Sequence, residues 1–69
     1  MRSARNHFTG VVLDVQRDGL TAIVEIQAGP HRVVSLMTRE AADELALEPG
    51  DLATAVVKAT TVIVEASPP

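Results

Sequence analysis

The sequence predicts an all-β domain with one short helix. Three observations carry that expectation. Apolar residues recur at every second position through most of the chain, glycine-bearing turn signals punctuate those runs, and a single stretch after Thr38 loses its β-branched residues.

The first alternating run is F-T-G-V-V-L-D-V-Q, residues 8–16. Its period of two assigns Val11, Leu13 and Val15 to one face and Val12, Asp14 and Gln16 to the other. Gly10 within it suggests a bulge or a sharp bend. Asp18-Gly19 is a hairpin signal. Residues 21–28 form a second strand, with Ala22, Val24 and Ile26 on one side and Thr21, Glu25 and Gln27 on the polar side. Ile23 breaks this pattern and is read as buried at a second interface. Ala28-Gly29-Pro30 turns the chain into a third strand, residues 31–37, with Val34 and Leu36 opposite Val33, Ser35 and Met37.

T-R-E-A-A-D-E-L-A-L then predicts a short helix. Thr38 is its N-cap, Glu40 lies where the helix dipole favours it, and Ala41, Ala42 and Leu45 form its packing face. Glu48-Pro49-Gly50-Asp51 ends it. Residues 52–59 and 61–66 read as strands four and five, with residues 67–69 as a frayed tail. The order β-β-β-α-β-β is that of the OB-fold, a five-stranded Greek-key barrel. A closed barrel is preferred to an open sheet because closure removes the strand edges.

The chain has 69 residues, enough for one domain, residues 1–69, with a marginal core. It has no cysteine and only two histidines, so neither disulfides nor a structural zinc site is expected. Oligomerisation is the remaining way to stabilise so small a scaffold. A net charge of −3 and a single aromatic residue, Phe8, argue against nucleic acid. No apolar run is long enough to span a bilayer and no secretory leader is visible, so the expectation is a cytoplasmic module.

Little in the sequence suggests catalysis. No nucleophile stands beside a histidine and carboxylate, and no glycine-rich phosphate loop occurs. Asp43 and Glu44 are adjacent helical residues that do not face each other. His7 and His31 read as loop histidines ahead of strands. What stands out is a set of donors at element ends: Ser3, Ala4 and Arg5 before the first strand, Thr38 at the helix start, and Lys58 at the end of the fourth. Guanidinium, ammonium, hydroxyl and amide groups all donate, so an anion site is the economical reading.

The stretches S-A-R-N-H-F-T-G-V-V, S-L-M-T-R-E-A-A-D-E-L-A-L-E-P-G-D and A-V-V-K-A-T-T-V-I-V together resemble the molbindins, small molybdate-binding proteins of the Mop/TOBE family. The resemblance covers roughly residues 2–66. It implies a barrel that binds molybdate, and tungstate with little discrimination, for storage or homeostasis, with no cofactor and no catalysis. It also implies a homohexamer, a trimer of dimers built by strand exchange, with oxyanions at subunit interfaces. Ser3 and Arg5 would meet Lys58 across an interface, and the amides of Ala4, Ala41 and Ala59 and the hydroxyl of Thr38 would add donors. Asn6 would fix the local turn. Ala41 and Ala59 stand where many relatives carry hydroxyls. An alternative is a TOBE-like regulatory or protein-interaction module with a vestigial anion site.

Overall fold

The computed structural model describes residues 4–68. Four strands form one antiparallel sheet: β1 (Arg5–Asp18), β2 (Thr21–Ala28), β3 (His31–Thr38) and β4 (Leu52–Lys58), in the order β3-β2-β1-β4. A helix, α1 (Arg39–Leu45), joins β3 to β4 and packs against β2 and β3. The sheet curls into a half-barrel of the OB-like kind.

Two of the turns follow directly from their glycines. Gly19 and Gly29 each take the first loop position at φ 60°. Each is followed by a residue outside the left-handed region, Leu20 and Pro30. That is the arrangement whose twist matches a two-residue hairpin. β2 therefore pairs in unbroken register with β3, from Thr21 opposite Thr38 to Ala28 opposite His31. Its alternation is as expected: Ala22, Val24, Ile26 and Ala28 are buried. On β3, Val33, Ser35 and Met37 turn inward, whereas Val34 and Leu36 stay 56% and 71% exposed.

β1 departs from its expected pattern in length and in phase. It runs from Arg5 to Asp18 rather than over residues 8–16. Val12 lies opposite Ile26 but Asp14 lies opposite Glu25, so Leu13 is an extra residue, a β-bulge. The bulge switches the faces. Val12 and Val15 both point inward, while Asp14 pairs with the outward Glu25 and Leu13 is left 45% exposed. Simple alternation groups Leu13 with Val15 and Val12 with Asp14; one inserted residue instead puts Val12 and Val15 on the same face. Gly10 is a close approach, not the bulge. A Cβ there would lie 2.0 Å from the Gln27 carbonyl oxygen and 2.8 Å from the Ala28 Cα.

The core is small. Val12, Val24 and Ile26 form its centre, with Val15, Met37, Leu47, Ala53 and Ala55 packed against them. Thr38 caps α1 as expected, accepting a hydrogen bond from the Ala41 N–H at 3.1 Å. Ala42 is the one buried residue of the helix, and Leu45 is more than half exposed. The helix closes at Ala46, in the left-handed region at φ 51°, ahead of the turn at residues 48–51. In that turn Asp51 accepts from the Glu48 N–H, and Gly50 and Asp51 bond back to Val12.

The expected fifth strand is absent among the described residues, and the barrel is not closed. The ladder stops at Lys58, where a 3₁₀ turn, Ala59–Thr61, takes over. Residues 62–68 pair with no strand, and Ile63 and Val64 are 88% and 87% exposed. A strand needs a neighbour to satisfy its backbone groups, and this segment has none among the described residues. An apolar groove of about 370 Å³ remains open between the inner faces of the two edge strands, β3 and β4.

Candidate functional site

The donors predicted from the sequence fall at two ends of the half-barrel. At one end, β1 and β4 pair in register from Arg5 opposite Lys58 to Val11 opposite Leu52. Directly opposed residues of an antiparallel pair share a face, so Arg5 and Lys58 project together. Both are exposed. The same face carries His7 opposite Val56 and Thr9 opposite Thr54, whose hydroxyls hydrogen-bond at 2.9 Å.

Arg5 and Lys58 thus come together within one chain, through the ladder, whereas the resemblance implied a meeting across an interface. Backbone contacts reinforce this end. The Ala59 N–H donates to the Ala4 carbonyl at 3.0 Å, and the Thr61 hydroxyl donates to the Lys58 carbonyl at 2.8 Å. Asn6 sits within the strand and fixes no turn. Its Nδ2 donates to the Val57 carbonyl at 3.3 Å and ties the two strands together. Ser3 lies outside the described residues.

Thr38 and Ala41 lie at the other end. Thr38 is opposite Thr21, which is opposite Asp18 at the far end of β1. Thr38 therefore lies at the Asp18 end of β1, at the opposite end of the strand from Arg5. The hollow beside it is lined also by Leu20, Arg39, Glu40, Asp43 and Glu44. Arg17 holds Asp43 at 2.8 Å, and Arg39 approaches it at 4.0 Å. The Ala41 amide is engaged in the Thr38 cap, and the Ala59 amide in the Ala4 contact. Neither amide is free within the chain.

The Arg5–Lys58 face suits a small anion. Neither residues 4–13 nor residues 52–61 include a carboxylate. The guanidinium offers a fork of donors and the ammonium a compact charge. Among the described residues, no group of three or more His, Asp or Glu side chains is placed to hold a metal ion. No helix among them is long and apolar enough to cross a membrane.

Residues 2–64 match the TOBE domain model. The chain belongs to the Mop/TOBE domain family. This TOBE domain is 41% identical over 63 residues to a probable molybdenum-pterin-binding protein of Haemophilus influenzae, covering 90% of this chain and 91% of the relative. It is 34% identical to molybdenum-pterin-binding protein 1 of Clostridium pasteurianum, covering 90% and 93%. Among solved structures it resembles MopII of Clostridium pasteurianum, with a TM-score of 0.85, 34% identity, and coverage of 96% of this chain and 100% of that one. A molybdate-binding protein from Sporomusa ovata superposes with a TM-score of 0.87 at 29% identity, covering 96% and 98%. The cytoplasmic molybdate-binding protein ModG, solved with molybdate bound, superposes at 0.82 and 39% identity. This TOBE domain covers 91% of itself and 45% of that longer chain in the match.

His7, expected in a loop ahead of the first strand, lies within β1. Starting β1 at Arg5 would have placed His7 two residues on and therefore on the same face.

Proposed function

We propose that this chain binds the molybdate dianion at the Arg5–Lys58 end of the half-barrel and serves in the cytoplasm as a molybdate store or buffer, with no catalytic role. The observation that carries the reading is the in-register pairing of Arg5 with Lys58 on an exposed face whose flanking segments lack carboxylates. The molybdate-binding relatives support it.

Molybdate at neutral pH is a tetrahedral dianion whose oxygens only accept hydrogen bonds. Two cationic donors match its charge, and charge-assisted bonds are roughly twice as strong as neutral ones. Monoprotonated phosphate brings a donor that such a site leaves unmatched. Once assembly encloses the site between copies, leaving that donor unmatched costs on the order of 1–3 kcal/mol. Sulfate is discriminated by size, and tungstate is close enough in size to bind as well.

The working form in this reading is a homo-oligomer, a hexamer assembled from dimers. Residues 62–66 are an apolar segment without a sheet partner, and β1 ahead of Val11 has β4 on one edge and no strand on the other. Exchange of residues 62–66 between two copies would satisfy both. In this reading Ser3 and the Ala4 amide act beside Arg5, assembly brings Thr38 to the anion from a neighbouring copy, and the Ala41 and Ala59 amides join only by leaving their contacts within the chain.

Calorimetry with molybdate, sulfate and phosphate tests the reading. Heat with molybdate at micromolar protein, and little with phosphate, is expected; no heat with molybdate overturns it. A second reading, a protein-interaction module with a vestigial site, is favoured by the engagement of the Ala41 and Ala59 amides inside the chain. Co-purification of a protein partner without bound oxyanion would support that alternative.

A further inference from the structure

We propose that His7 is a third side-chain donor to the bound oxyanion, extending the Arg5–Lys58 pair one step along the ribbon. The inference rests on the binding function proposed above.

The ladder places His7 opposite Val56, one pleat in from Arg5 opposite Lys58. Residues i and i+2 of a strand share a face and stand about 7 Å apart. Arginine and lysine are long enough to bend across that interval toward a small anion, so an oxyanion on this face lies between their heads and the imidazole. Val56 has no polar atom and cannot compete for the His7 ring. At the next step the Thr9 and Thr54 hydroxyls bond to each other, so among the described residues the imidazole is the next unengaged donor inward of Arg5 and Lys58.

The surroundings point the same way. The charged groups on this face of the ribbon are Arg5 from β1 and Lys58 from β4; the other residues facing His7, namely Thr9, Thr54 and Val56, are uncharged. No carboxylate occurs in residues 4–13 or 52–61 to compete with an anion for the His7 ring. An imidazole donates an N–H in either protonation state, so it serves an acceptor-only ligand whether or not it is charged. The other histidine, His31, opens β3 beside the Gly29 turn and pairs with Ala28, away from this ribbon. It is therefore an internal control.

The test is calorimetric titration of the full-length protein with sodium molybdate, using wild type, His7→Ala, His7→Gln and His31→Ala. Circular dichroism and mass measurement would accompany each titration. His7→Ala should bind about tenfold more weakly, the lower end of what a bond to a charged group supplies. His7→Gln, which keeps a side-chain N–H donor, should recover part of that loss, and His31→Ala should match wild type. Recovery by glutamine separates donation from a structural effect of the ring. If wild type binds and His7→Ala binds equally well, the role of His7 is refuted and the molybdate reading stands. Equal weakening in the alanine and glutamine variants also refutes it. If wild type takes up no molybdate, the binding function itself falls, and the role of His7 with it.

Discussion

Arg5 lies directly opposite Lys58 in the β1–β4 ladder, so two cations from opposite ends of the sequence share one exposed face of a single chain. Like charges directly opposed are destabilising in a sheet. Here they are neighbours with no carboxylate in either flanking segment, an arrangement that a bound dianion would relieve.

Removing either cation should therefore weaken molybdate binding without weakening the fold. Arg5→Ala and Lys58→Ala are each expected to lose about tenfold to a hundredfold in affinity, read by calorimetry. Arg5→Lys keeps the charge but loses the planar fork and should fall in between. Thermal unfolding without ligand should be unchanged or slightly improved. Wild-type affinity in Arg5→Ala would exclude this face as the site.

Gly10 has no room for a side chain. A Cβ would sit 2.0 Å from the Gln27 carbonyl oxygen and 2.6 Å from its carbon, both backbone atoms of β2. Neither can rotate away, so Gly10→Ala must push β2 from β1. The expected loss is about 3 kcal/mol, the upper range for overpacking. Urea unfolding at matched protein concentration measures it, since the proposed assembly would make stability concentration-dependent. A loss below about 0.5 kcal/mol, within the usual range for surface changes, would contradict the close approach.

Thr38 has a demonstrable structural task, accepting from the Ala41 N–H at 3.1 Å. Thr38→Ala should cost about 1 kcal/mol, and Thr38→Ser almost nothing, in ligand-free unfolding experiments. An unchanged midpoint in the alanine variant would mean that the cap contributes nothing to stability.

Ile63 is 88% exposed in the single chain and follows a 3₁₀ turn that ends the ladder. If residues 62–66 complete the sheet of a second copy, Ile63→Asp should reduce the oligomer to a smaller species in sedimentation analysis. The wild-type mass in that variant would exclude this segment from the interface.

Much of the fold was readable because it is local. The alternation of Ala22, Val24 and Ile26, the glycines of the two hairpins and the Thr38 cap each depend on a few neighbouring residues, and each acts as read. The start of β1 is not legible locally, because Arg5, Asn6 and His7 are not strong strand formers. They are extended because Lys58, Val57 and Val56 pair with them. The Leu13 bulge escaped for a related reason. Nothing within V-V-L-D-V marks the extra residue; it shows only in the register against β2.

The sequence alone determined which residues could carry the chemistry: donors without nearby carboxylates, no cysteine, and a helix start at Thr38. Tertiary structure decided which of them meet. It joined Arg5, His7 and Lys58 on one ribbon face, put Thr38 at the far end of β1, and left residues 62–68 outside the sheet. Composition and periodicity act over a few residues, whereas strand pairing is set by backbone hydrogen bonds between segments that are distant along the chain.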